Sequence, residues 1–178
     1  FVMRRYSFPK IDLHLHLDGS MLPETAWELA LARGIPLPAD TLEEFRSFII
    51  LTADCRSVNE YLKRFEMPLS ILQDQPALTR VARVELLAAQ GLAYAEIRFA
   101  PQLHTRKGLT QRQAIEAVLQ GVREGAASCP TIGIGVLLCA MSVGPETVNE
   151  AENLLTVELA KDFLGQGVAG IDLAGAEG

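Results

Sequence analysis

Two histidines two residues apart, in Ile11-Asp12-Leu13-His14-Leu15-His16-Leu17-Asp18-Gly19-Ser20, are the residues of this sequence best suited to chemistry. Side chains on a β-strand alternate between faces, so Ile11, Leu13, Leu15 and Leu17 share one face and Asp12, His14, His16 and Asp18 the other. Both imidazoles then point the same way and can converge on one ion, with ring nitrogens about 2.0–2.1 Å from it if the ion is zinc. Asp18 adds a carboxylate at the strand's end, and Gly19 frees the chain to turn. Imidazoles and a carboxylate at a strand terminus are the usual material of an open catalytic metal site. A polar strand face with no ligand is the competing reading. Against it, the chain has only three histidines and two of them lie here.

Elements able to hold such a strand follow along the chain. A helix is expected near Pro23–Arg33, with Pro23 and Glu24 in its first turn and Gly34 as its stop. The loop Ile35-Pro36-Leu37-Pro38 cannot continue it. Capping boxes Thr41-Leu42-Glu43-Glu44 and Ser57-Val58-Asn59-Glu60 open two more helices, and another begins near Thr79 and stops at Gly91. Leu92–Ala100 alternates as a strand, with Tyr94, Glu96 and Arg98 on one face. A helix starts at Thr110-Gln111-Arg112-Gln113, a strand spans Ile132–Cys139, a helix runs from about Pro145 to Leu164, and Val168–Ala174 is a fourth strand. Strands alternating with helices make an α/β fold with a parallel sheet. The first two strands lie about twice as far apart in sequence as the others, so that interval holds inserted helices. Residues 1–178 read as a single domain, without a linker or composition shift.

Charge and cysteines narrow the function classes. At 178 residues, 49% hydrophobic and 21% charged, the chain can bury a core, and its net charge of −6 with scattered basic residues argues against nucleic acid. A small neutral or cationic ligand fits better. No stretch approaches the roughly 20 apolar residues that cross a bilayer, so no membrane partner is expected. Cys55, Cys129 and Cys139 lack C-x-x-C spacing, which suits reduced thiols in a cytoplasm.

Four segments together resemble the adenosine deaminase family: the first strand motif, Asn59-Glu60-Tyr61-Leu62-Lys63-Arg64-Phe65, Tyr94-Ala95-Glu96-Ile97-Arg98-Phe99-Ala100-Pro101, and Ile171-Asp172-Leu173-Ala174-Gly175-Ala176-Glu177. They stand in the family's order, and the resemblance runs along the whole chain. It implies the N-terminal half of a TIM (β/α)8 barrel of the metal-dependent hydrolase type, about four βα units plus inserted helices. The implied activity is zinc-dependent hydrolytic deamination of adenosine and 2′-deoxyadenosine to inosine and deoxyinosine, a step of purine salvage. By the resemblance His14 and His16 are zinc ligands, with His16 also beside the substrate. Asp18 holds a ribose hydroxyl, and Gly175 offers a backbone amide to the purine ring. Val58, Tyr61, Leu62 and Phe65 form an apolar lid.

The family's further zinc ligands and its catalytic glutamate, histidine and aspartate have no counterpart in this chain. One zinc per complete site is expected, with the isolated chain inactive and completed by a C-terminal half of the barrel or by a second copy. Half a barrel is also expected to leave its fourth strand unpaired and an apolar inner face uncovered. Ala176 stands where the family often has an acid, and Ser142 where a basic residue is common. Deaminases of adenine or aminodeoxyfutalosine are the rivals within the class. A non-catalytic purine-binding or interaction module is the rival outside it. His104 is read as structural, and Glu96 with Arg98 as a structural ion pair.

Overall fold

Four alternating segments form one parallel sheet in chain order: β1 (Lys10–His16), β2 (Leu92–Phe99), β3 (Gly133–Met141) and β4 (Val168–Ala174). The structure is a computed structural model that describes residues 8–50, 63–88, 91–143 and 148–175. Register places His16 beside Arg98, Arg98 beside Leu137, and Cys139 beside Asp172. Between β1 and β2 lie α1 (Pro23–Ala32), α2 (Leu42–Ile49), α3 (Glu66–Ile71) and α4 (Gln75–Ala88); α5 (Gln111–Ser128) and α6 (Glu150–Phe163) connect the later strands.

The local reasons match the expected punctuation. Gly34 follows α1 at φ +61°. Complete capping boxes at Thr41/Glu44 and Thr110/Gln113 start α2 and α5. The Ser57 capping box lies outside the described residues. The helix expected near Thr79 begins at Gln75 instead, because the Asp74 carboxylate accepts the Ala77 amide proton at 2.8 Å and caps the chain four residues earlier. The same carboxylate binds the Arg33 guanidinium at two points, 2.6 and 2.8 Å, tying the end of α1 to the start of α4.

One face of the sheet makes the core. Ile97, Phe99, Val136 and Leu138 pack with Leu78, Val81, Ile115, Val118, Leu159 and Phe163 from the helices. The opposite face carries Glu96, Arg98, His14, His16 and Asp172 together with Leu137, Cys139 and Met141, so it is a mixture of charged and apolar groups rather than the apolar inner face expected from the sequence. Exposed apolar residues sit instead on the two outer strands, Ile11 and Leu13 on β1 and Ile171 and Leu173 on β4, each more than half exposed. Among the described residues these strands have a neighbour on one side only.

Helices α4 and α5 touch most closely at Gly121, where a Cβ would overlap the Thr79 carbonyl and approach Ala82 Cβ to 2.7 Å. Gly121→Ala is expected to destabilise the protein by about 2 kcal/mol net, overpacking outweighing the roughly 1 kcal/mol gain in helix propensity. Urea denaturation checks this. A variant as stable as the parent would contradict the packing.

Candidate functional site

At the C-terminal end of β1 the ladder carries on for one bond, Leu17 N–H to the Arg98 carbonyl at 3.0 Å, before the chain turns through Gly19 and Ser20. The two imidazoles arrive together, with His14 Nε2 and His16 Nε2 3.2 Å apart. Two nitrogens each about 2.05 Å from a tetrahedral ion lie about 3.3 Å apart. The separation therefore matches that of two ligands on one ion, and without an ion the pair forms a hydrogen bond whose direction the tautomers decide. Among the described residues no group of three His, Cys, Asp or Glu side chains is placed to hold a metal.

Burial, helped by neighbouring positive charge, favours the neutral, ligand form of His16. Burial chiefly, then the Arg98 guanidinium and His14, hold its pKa below the ordinary histidine value, while Asp172 opposes them. Arg98 reaches across the sheet to an ion pair with Asp172, the two side chains being 8% and 32% exposed. Its Nη1 also lies 3.2 Å from both ring nitrogens of His14. The expected Glu96–Arg98 pair is thus corrected. Arg98 extends toward β1 and β4 at the top of the sheet, while Glu96, one residue pair lower, accepts from the Tyr94 hydroxyl at 3.0 Å.

Asp18 is the other charged group at this end. Only 8% exposed, its carboxylate accepts the Gly19 amide proton at 2.9 Å. Burial pushes its pKa up to about 6, against the pull of the Gly19 and Asp18 amides and of Arg98. It faces a cleft of about 280 Å³ lined by His16, Phe65, Phe99, Met141 and Gly175 among others. Phe65 stacks edge-on to His16, ring centroids 5.9 Å apart. Gly175 ends β4 at φ +135°, where a Cβ would overlap the Ser142 carbonyl. His14, His16, Asp18, Phe65 and Gly175 therefore gather at one end of the sheet. Val58, Tyr61 and Leu62 lie outside the described residues.

The family model described as Adenosine deaminase matches residues 9–178. The chain belongs to the adenosine deaminase family. It is 44% identical over 173 residues to an adenosine deaminase of Haemophilus ducreyi, covering 94% of this chain and 49% of that protein. It is 39% identical over 177 residues to one of Clostridium perfringens, covering 98% and 52%. The chain thus spans about half the length of the curated relatives it matches. Among solved structures, Arabidopsis ADAL complexed with GMP superposes with a TM-score of 0.75 at 30% identity, covering 95% of this chain and 50% of that one. An adenine deaminase of Arthrobacter aurescens gives 0.74 at 26%, covering 95% and 49%. An amidohydrolase of Burkholderia ambifaria with bound Zn gives 0.76 at 23%, covering 96% and 45%, a likeness of fold. The fold is accordingly that of an N-terminal half of a deaminase TIM barrel.

Two residues of the third strand also wall the cleft. Cys139 and Met141 line it from β3, and the parity of Leu137, Cys139 and Met141 on that strand was the available signal. Burial raises the Cys139 thiol pKa, so the group behaves as an apolar wall.

His104 is structural, as expected. It lies fully buried in a 3-10 turn (Pro101–His104), with Nδ1 2.7 Å from the Leu72 carbonyl. Nε2 has no hydrogen-bond partner among the described residues, so the ring is neutral with its proton on Nδ1. Burial lowers its pKa from 6.5 to about 4. An unfolded chain then takes up the proton first as pH falls. His104 contributes stability that is complete above about pH 6.5 and lost down to about pH 4, on the order of 3 kcal/mol. Asp18, raised to about 6, has the opposite sign, its contribution present below about pH 4 and lost by about pH 6. Urea denaturation between pH 4 and 7 should show His104→Asn losing the rise in stability with pH that His104 supplies. An unchanged pH dependence would contradict it.

Proposed function

We propose that this chain supplies half of the active site of a zinc-dependent adenosine deaminase, which hydrolyses adenosine and 2′-deoxyadenosine to inosine and deoxyinosine plus ammonia in purine salvage. The observation that carries the reading is the pairing of the two imidazoles, 3.2 Å apart, beside a cleft that His16 and the buried Asp18 carboxylate line. Residues 1–178 form part of one barrel domain, and the enzyme works on free nucleoside in the cytoplasm.

His14 and His16 hold the metal, with further ligands from the rest of the barrel. Bound there, zinc supplies Lewis-acid activation of a water for attack on the purine carbon that bears the amino group. His16 stays neutral at working pH because of burial and Arg98, so no proton competes for its nitrogen. Asp18, on the wall of the cleft, accepts from a ribose hydroxyl. Gly175 brings its amide to the purine edge, where any side chain would collide with Ser142. Phe65 covers the sugar side against His16 and excludes water.

Asp18 also favours one substrate over its relatives. Free adenine lacks the hydroxyl that would satisfy Asp18, and a 5′-phosphate would meet a buried carboxylate of like charge. Adenosine is therefore expected to exceed adenine and AMP in kcat/KM by about 100-fold or more, measured by ultraviolet absorbance on the full-length protein. Equal activity on adenine would assign the chain to the adenine-specific branch, and nucleoside binding without turnover would make it a binding module.

A further inference from the structure

We propose that Asn153, on the helix outside the sheet, is a positioning residue that sets the Gly175 amide by clamping the main chain of Met141. The proposal rests on the reading of Gly175 given above. One carboxamide does this at three points. Asn153 Oδ1 accepts the Met141 amide proton at 2.8 Å, and Nδ2 donates to the Met141 carbonyl at 2.9 Å. The same Oδ1 accepts from Gln102 Nε2 at 3.1 Å. Gln102 lies in the 3-10 turn directly after β2.

The side chain thereby acts as an extra strand partner at the end of β3 and ties it to the end of β2. Satisfying both main-chain groups of one residue fixes that residue's position as well as its pairing. Met141 is the register partner of Ala174. The next amide, Ser142 N–H, donates to the Ala174 carbonyl at 2.6 Å. Gly175 then lies so close on Ser142 that a Cβ would come within 2.7 Å of its carbonyl carbon. A shift of Met141 is therefore passed to Gly175 through two rigid backbone contacts.

The helix is itself held in register by Thr156, one turn on. Its hydroxyl is buried, 2.7 Å from Gln111 Oε1 at the start of α5. Positions 153, 156, 160 and 163 share one face of α6, so the anchor and the clamp point the same way. No side chain of Asn153 lines the cleft, so its effect on substrate passes through the main chain.

Three variants of the full-length protein test this. Asn153→Leu removes all three bonds. Asn153→Asp keeps the acceptor for Met141 and Gln102 but loses the donor. Thr79→Val is the remote control, losing the Thr79 hydroxyl's 3.0 Å bond to the Ala117 carbonyl between α4 and α5. Expected for Asn153→Leu is exchange about tenfold faster at the amides of 141–142 and 174–175 than in α4 and α5. KM for adenosine should rise about tenfold with kcat within about threefold, the signature of a binding contact displaced rather than a chemical group removed. Asn153→Asp should fall between it and the parent, and decides the matter should the leucine variant not fold. Thr79→Val should move neither readout. Exchange and KM in the Asn153 variants that merely follow global stability, as in Thr79→Val, would overturn the proposal. Should the parent not turn over adenosine, the functional reading of the site fails. The exchange measurement then still supports or overturns the clamp by itself.

Discussion

Asparagine in place of His16 is expected to lower adenosine turnover of the full-length enzyme by at least about 1000-fold and to empty most of its zinc. The imidazole stands where both tasks meet, 3.2 Å from its partner ring and on the wall of the cleft. Asparagine keeps a polar group of similar reach but offers zinc a much weaker ligand. His14→Asn removes only a ligand, since His14 does not line the cleft, so excess zinc should restore part of its activity. Elemental analysis beside an absorbance assay reads both effects. Full zinc with full activity in either variant would show that the pair is a polar strand face. Both substitutions fall on an edge strand whose His14 is exposed, so folding should survive them.

The second large effect concerns Arg98 and Asp172. Asp172→Asn should destabilise the protein by about 3 kcal/mol, because it strands a guanidinium 92% buried by the count of its 8% exposure. Asp172 is nearly one-third exposed, so solvent screens part of the interaction and the cost lies at the lower end of the range for buried pairs. Arg98→Met should cost less, about 1 kcal/mol, since it removes the charge that needs compensation and keeps an apolar stem. The double variant should resemble Arg98→Met alone. Urea denaturation of the three resolves the asymmetry, and an Asp172→Asn variant within about 0.5 kcal/mol of the parent would contradict it. The zinc affinity of Asp172→Asn should fall as well, because unneutralised positive charge would then face His14 and His16.

Much of this was legible from the sequence because local rules were enough. The first strand announced itself by alternation, two capping boxes placed the starts of α2 and α5, and Val168–Ala174 was bounded by glycines. Asp74-Gln75-Pro76 carries a cap and a first-turn proline that place the start of α4 earlier than Thr79. What failed was non-local. Glu96 and Arg98 share a strand face, but the charge Arg98 needs lies two strands away on Asp172, and sheet order brings it there. Asn153 looked like any polar residue of a surface helix, since its partners, Met141 on β3 and Gln102 in the turn after β2, lie outside its own helix. Alternation puts Ile11, Leu13, Leu15 and Leu17 on one face, but a register shift between Asp12 and Leu15 sets Ile11 beside Tyr94 and Leu15 beside Ile97, so Ile11 and Leu15 fall on opposite faces.

In the proposed function His14, His16 and Asp18 form the metal and sugar side of one deaminase site. Zinc-edge anomalous diffraction from crystals of the full-length protein soaked with inosine tests it most directly. The account predicts an anomalous peak about 2.0–2.1 Å from a ring nitrogen of both His14 and His16, with a ribose hydroxyl on the Asp18 carboxylate. A zinc peak away from both rings, or a nucleoside bound outside the cleft between Phe65 and Gly175, would contradict it.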